Sequence, residues 1–364
     1  MPGKRPPALS PEAVSALLLQ YFPFKHVARE SLKPLPSYDD RNIYFRGECR
    51  NGAAPGDGFV LKVLNSGIST HVAEGMNDMM LFLSRRGIPC SRPVPTRRGD
   101  YVLTASEGDL TMLSSGSTNT ESTAAYAVRV LTFIPGVPMD KLDAKYLTPE
   151  LAYSVGEMIG RADLALQDFK HPAIFEREFR EWDLMYFTDI KQFIPHLRDE
   201  EKRQVAHSVV ALYEEHVVPV IPKMKKGVVH NDVNGLNILF DVGAADKCDF
   251  SGLIDFGDSV KTCYLFELAI MLAYGMCEKD NPVEFVGPMF RGYRDVFPLS
   301  AEELDCLYYA VLARLCLSMV TGEYRFTLEP WNTYLLTSLA EAWKLINILL
   351  SFTKGGVEEI WGVC

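Results

Sequence analysis

The chain has 364 residues, 48% of them hydrophobic and 23% charged, with a formal net charge of −10. That supplies enough apolar material for a large core or for two lobes. The acidic balance argues against nucleic acid as a partner, because phosphate recognition needs clustered Lys and Arg.

At the N-terminus, Ser10-Pro11-Glu12 reads as the N-cap and first turn of an amphipathic helix over 10–22, not as part of a signal peptide. Leu32–Tyr38 and Ile43–Arg46 flank the polar turn Ser37–Asn42 and predict a hairpin. Phe59–Leu64 is a strand with Lys62 inside it. Residues 70–86 carry an apolar face at helical spacing, and the helix ends at Gly87. Tyr101–Ala105 and Tyr126–Phe133 are strands, separated by a Ser/Thr/Gly-rich loop over 106–123 that reads as a mobile hairpin tip. Pro135-Gly136 breaks the pattern. Helices follow at 148–169, 176–194 and 199–218, then a strand pair near 237–240 and 251–256. Further helices fall at 264–277, 282–296, 301–321 and 330–352. The expected fold is therefore α+β, with a β-rich part over 1–134 and a mainly helical part over 135–364. The longest apolar windows, 265–277 and 307–320, fall short of the roughly 18–20 residues a membrane span needs. Eight scattered cysteines with no CxxC spacing read as reduced thiols. A cytoplasmic protein without membrane partners is expected.

The chemistry is concentrated in VVHNDVNGLNILF and GLIDFGD, between Val228 and Asp258. Asp232 and Asn237 have the spacing of a phosphoryl-transfer loop, and Asp255 opens an Asp-Phe-Gly at the end of an apolar strand. Asp232 suits a base that takes the proton of an acceptor hydroxyl. Asn237 and Asp255 offer the hard oxygens that Mg2+ prefers. Asp258 has three readings: a further metal ligand, a contact to a cationic substrate, or a turn cap. Lys62, among Val60, Leu61 and Val63, suits nucleotide phosphates, with Glu74 as its ion-pair partner, although an edge-strand Lys and a first-turn Glu have ordinary structural readings. The Ser37 turn stands where a phosphate-covering loop is expected but lacks its glycines. Arg129–Phe133, with Thr132, stands at the expected purine-binding hinge. His230 reads as a residue that holds the loop by hydrogen bonds. Trp182, Arg294 and Arg314 are candidates for substrate contacts or for buried packing.

At Lys62, Glu74, the FIPG segment, HNDVNGLN and LIDFGD, the sequence resembles the aminoglycoside phosphotransferase family over about residues 30–350. The resemblance implies a bilobal protein-kinase-like fold, with Asp232 catalytic, Asn237 and Asp255 on the metal and Lys62 on the phosphates. The runs LPSYDDRN, VRVLTFIPG and GDSVKTCYLFELAIMLAYGM are similar to a branch of that family that phosphorylates the side-chain hydroxyl of 5-hydroxy-L-lysine. That likeness implies GTP, in preference to ATP, as donor, and a place in lysine breakdown. Related acceptors are homoserine, choline and aminoglycoside-like alcohols. A nucleotide-binding pseudokinase is the alternative outside enzymes. The family usually carries Gly between the loop His and Asp, where this chain has Asn231. Asn tolerates left-handed backbone better than most residues, so activity is expected to survive.

Overall fold

The computed structural model describes residues 4–37, 39–50, 57–110, 124–178, 181–243, 247–330 and 339–363. The chain divides into two compact units, Met1–Pro135 and Gly136–Cys364.

The first unit is built on one sheet. Helix α1 (Pro11–Tyr21) starts on Ser10, whose hydroxyl accepts the Ala13 N–H. Strands β1 (Phe24–Leu35), β2 (Arg41–Cys49), β3 (Phe59–Val63), β4 (Pro93–Val94), β5 (Leu103–Ser106) and β6 (Ala125–Thr132) lie in the order β1-β2-β3-β6-β4, with β5 also on β6. The alternating apolar residues of these strands meet Val14, Leu17 and Leu18 of α1 in one core. At its centre Phe24 stands edge-on to Phe45 and Phe59, at centroid distances of 5.2 and 4.8 Å. Helix α2 (Thr70–Arg85), capped by Ser69, turns Ala73, Met76, Asn77 and Met80 inward. The expected loop over 106–123 begins instead with the end of β5 and a helical turn at 107–110, and its remaining residues lie outside the described ones.

In the second unit, β7 (Val137–Pro138) leads to α3 (Pro149–Leu166) and α4 (Glu200–His216). Strands β8 (Lys226–Val229), β9 (Ile238–Val242), β10 (Cys248–Leu253) and β11 (Val260–Cys263) follow. Helices α5 (Tyr264–Gly275), α6 (Pro282–Val296), α7 (Leu307–Leu328), α8 (Leu339–Ser351) and α9 (Lys354–Trp361) complete the unit. Helix α5 is buried almost all round. Helices α3 and α6 meet backbone to backbone: a Cβ on Gly156 would lie 1.9 Å from the Met289 carbonyl oxygen, and one on Gly292 2.1 Å from that of Tyr153.

Two helix expectations are corrected. The segment 176–194 is not one α-helix but a turn followed by a 3-10 stretch, Leu184–Gln192, which Asp183 caps by accepting the Met185 N–H at 3.0 Å. The expected helix over 301–321 breaks at Cys306, because Ser300 and Glu303 close a capping box around a short helix, Ala301–Asp305. Among the described residues no helix is long and apolar enough to cross a membrane, and all seven described cysteines are free.

Candidate active site

Two short loops of the second unit carry the expected chemistry, and both are pinned at each end by strand pairing. Residues 230–237 run from β8 to β9, and residues 254–259 from β10 to β11. Because β9 pairs antiparallel with β10 and β8 with β11, the same two ladders bracket both loops. The Ile254 N–H donates to the Asn237 carbonyl at 3.0 Å and closes the bracket. His230 ties the loops together: its Nδ1 accepts the Asp232 N–H at 3.2 Å, which leaves Nε2–H to donate to the Ile254 carbonyl at 2.9 Å.

Asp232 is held at both oxygens. Its Oδ1 accepts from Asn234 Nδ2 at 2.9 Å, and its Oδ2 from Asn237 Nδ2 at 2.8 Å. The Asn237 amide also donates to the Asp232 carbonyl at 2.9 Å, so its NH2 is committed to Asp232 and its oxygen is turned away. Asn234 in turn accepts the N–H groups of Leu236 and Asn237 at 2.9 and 3.2 Å. Arg314, reaching in from α7 and only 1% exposed, brings Nη2 to 3.7 Å from Asp232 Oδ1. It is fixed by donating to the Trp182 carbonyl at 2.7 Å and lies over the rings of Trp182 and Tyr274.

The backbone of these loops is strained where the chemistry sits. Asn231 has φ +67° and Asp255 φ +62°, left-handed conformations that non-glycine residues seldom adopt. Asn231 therefore stands where the backbone suits glycine, and its buried amide finds no hydrogen-bond partner. Replacing it with Gly removes a steric cost and a buried unsatisfied amide, against added freedom in the unfolded chain. Asn231→Gly is expected to keep kcat at or above the parent value and to change stability by less than about 1 kcal/mol, as read by steady-state kinetics and denaturant unfolding.

The strain is held by a residue that the motif reading missed. Glu267, in the first turn of α5, is 1% exposed. Its two oxygens accept the N–H groups of His230 at 3.0 Å and Asn231 at 2.8 Å. The signal was present in the sequence: a lone acid inside the apolar run YLFELAIML needs a buried partner. On the other loop, Arg177 donates to the carbonyls of Gly257 and Ser259, both at 2.8 Å.

Burial pushes Asp232 up to about 7, with the Asp255 charge adding, against Arg314, Asn234 and Asn237. Burial and then Asp232 push Asp258 up to about 8, against Arg177 and Arg314. Asp232 thus feels the charge of Asp255, and Asp258 the charges of both, while Arg314 opposes both shifts and Arg177 that of Asp258. Among the described residues no group of three or more His, Cys, Asp or Glu side chains is arranged to hold a metal. The donors present are an amide oxygen and carboxylates. That set fits a hard cation that takes one or two protein ligands and completes its shell with phosphate and water.

The remaining candidates are placed as follows. Lys62 is buried in β3, an interior strand and not an edge, between Asn42 of β2 and Arg129 of β6. The expected ion pair with Glu74 is not formed: the register of α2 turns Glu74 outward, where it pairs with His71 at 3.6 Å. Asn77 holds the inward position instead and accepts from Arg129 at 3.0 Å. The Ser37 hydroxyl accepts the Asp40 N–H, and the Thr132 hydroxyl accepts the Arg92 N–H. Arg294, unlike Arg314, is not brought beside Asp232. It lies in the last turn of α6, donates to the Gly362 carbonyl at 2.8 Å and faces Asp295.

The chain is similar to known small-molecule kinases. It is 32% identical to a hydroxylysine kinase of Xenopus laevis, covering 98% of this chain and 93% of that protein. It is also 32% identical to a hydroxylysine kinase of Danio rerio, over 91% and 89% of the two chains. Its fold matches an amicoumacin kinase, described in complex with AMP-PNP, Ca2+ and Ami, with a TM-score of 0.63 and 18% identity over 89% of this chain and 90% of that one. A model of the phosphotransferase enzyme family matches residues 31–303. The chain therefore belongs to the phosphotransferase enzyme family and is a small-molecule kinase.

Proposed function

We propose that the protein transfers the γ-phosphate of GTP to the side-chain hydroxyl of 5-hydroxy-L-lysine, in the cytoplasm, as a step of lysine breakdown. The observation that carries the mechanism is Asp232, held at both oxygens by Asn234 and Asn237 on a loop pinned at each end. Full-length likeness to hydroxylysine kinases supports the acceptor. The donor rests on the sequence resemblance alone.

In this reading the acceptor hydroxyl donates to Asp232 and gives up its proton there as the oxygen attacks the γ-phosphorus. The bond from the γ-phosphorus to the bridging oxygen breaks, and GDP leaves with the electron pair. A carboxylate raised toward neutrality is a more effective base near neutral pH than an ordinary one. Asn237 and Asp255 would hold Mg2+, which when bound neutralises phosphate charge. Lys62 supplies a further cation for the phosphates. Arg314 sets one positive charge against Asp232, which opposes the upward shift that burial imposes on the carboxylate.

The test is nucleoside diphosphate release from GTP and ATP with Mg2+, with and without 5-hydroxy-L-lysine, homoserine and choline. Acceptor-dependent GDP release that is strongest with 5-hydroxy-L-lysine is the expected result. Release driven equally by the other alcohols would overturn the acceptor assignment.

A further inference from the structure

The loop that carries Asp255 is gripped from outside by a segment that the mechanism above does not use. Residues 171–177 follow α3 and contain a short helix, Pro172–Phe175, which packs against β8 and β11. Pro172 suits its first turn, where a missing N–H goes unnoticed. Ile174 is buried beneath it. The Phe175 ring faces the Lys261 ammonium of β11, 3.8 Å from the ring centroid. Two residues later, Arg177 turns in to the loop itself. Helix and arginine thus hold β11 and the loop before it together.

Arg177 reaches two carbonyls with one nitrogen. Its Nη1 donates to Gly257 and to Ser259, both at 2.8 Å. A planar guanidinium fixes the directions of its N–H bonds, so both carbonyls are set in orientation as well as in distance. Gly257 lies against the carboxylate of Asp255: a Cβ on Gly257 would stand 3.5 Å from Asp255 Oδ1. Asp255 itself is at φ +62°, a conformation that persists only where the surroundings impose it. On its N-terminal side the Ile254 N–H is tied to the Asn237 carbonyl. On its C-terminal side the turn's own bond, from the Ser259 N–H to the Phe256 carbonyl, is long at 3.4 Å. Arg177 supplies two short bonds to the same stretch.

An ion binds more tightly when its ligands already stand in place, because ordering them on binding costs free energy. We propose that Arg177 is a positioning residue for the divalent metal. By holding the Gly257 and Ser259 carbonyls, it presets the Asp255 carboxylate to receive the ion. It acts through the backbone and touches neither metal nor phosphate. The proposal rests on the reading of Asp255 as a metal ligand, and it predicts a loss of metal affinity when the grip is released.

The test titrates the full chain with Mn2+, a paramagnetic stand-in for Mg2+, in the presence of GDP or ADP, and follows the free ion by electron paramagnetic resonance. The dissociation constant of the bound ion does not depend on how much of a variant is folded. Arg177→Met is expected to raise that constant about 10- to 100-fold, the usual cost of removing a group that orients a metal ligand. Arg177→Lys keeps the charge but not the planar fork, and is expected to raise it about three- to tenfold. Saturating Mg2+ is expected to bring kcat of both variants back to within about threefold of the parent. Constants within about twofold of the parent in both variants would overturn the proposal, as would a kcat that saturating Mg2+ does not restore. The Lys variant alone decides if the Met variant does not fold. Asp255→Ala, titrated in parallel, separates this failure from a deeper one. Parent-like Mn2+ binding in Asp255→Ala would overturn Asp255 as a metal ligand, and the role of Arg177 with it.

Discussion

Replacing Asp232 with Ala is expected to lower kcat by about 10²- to 10⁴-fold, the contribution of a positioned general base. Nucleotide affinity is expected to stay within a few-fold, since Asp232 is assigned to the acceptor and not to the donor. The surroundings tolerate the loss. Arg314 keeps the Trp182 carbonyl, and Asn234 keeps the two N–H groups it accepts. The variant also removes one of three crowded carboxylates, which relieves Asp258. Steady-state kinetics beside calorimetric nucleotide binding would separate the two effects. A kcat within threefold of the parent would remove Asp232 from the mechanism.

The second large effect is expected at Glu267. Truncation to Ala leaves the N–H groups of His230 and Asn231 buried without acceptors, at about 1–3 kcal/mol each. It also releases the left-handed Asn231 that those bonds hold. Unfolding free energy is expected to fall by about 2–4 kcal/mol, and kcat to fall further than the loss of folded protein explains. Glu267→Gln offers one oxygen to two N–H groups, so its cost is expected to lie between parent and Ala. Denaturant unfolding with kcat per folded molecule measures both. An Ala variant as stable and active as the parent would show that the loop holds its shape without Glu267.

Much of the site was legible because local chemistry and global fold agree there. Asp232, Asn237 and Asp255 stand at fixed spacings between apolar strands, and those strands pair as the motif requires. The helix expected over 282–296 is α6, with Pro282 in its first turn. The losses come where tertiary packing decides. Phe187, Ile190 and Ile194 suggest a helix by their spacing, yet Phe187 and Ile190 are buried from the 3-10 stretch that Asp183 starts, and Ile194 from a second 3-10 turn that contains Pro195. Arg294 and Arg314 look equivalent in sequence, each an arginine in an apolar helix. Only the fold turns Arg314 toward Asp232 and leaves Arg294 on the Gly362 carbonyl. Glu74 stands at a suitable distance from Lys62 along the chain but on the wrong face of α2. The apolar face of the same helix already placed it on the opposite side.

The most direct test of the central claim is the phosphorylated product itself. Parent and Asp232→Ala proteins would be incubated with GTP, Mg2+ and 5-hydroxy-L-lysine, and the acceptor followed by phosphorus NMR. A phosphate ester on the side-chain hydroxyl, formed by the parent and not by the variant, is the predicted result. GTP hydrolysis without a new ester, or equal ester formation by both proteins, would contradict the account.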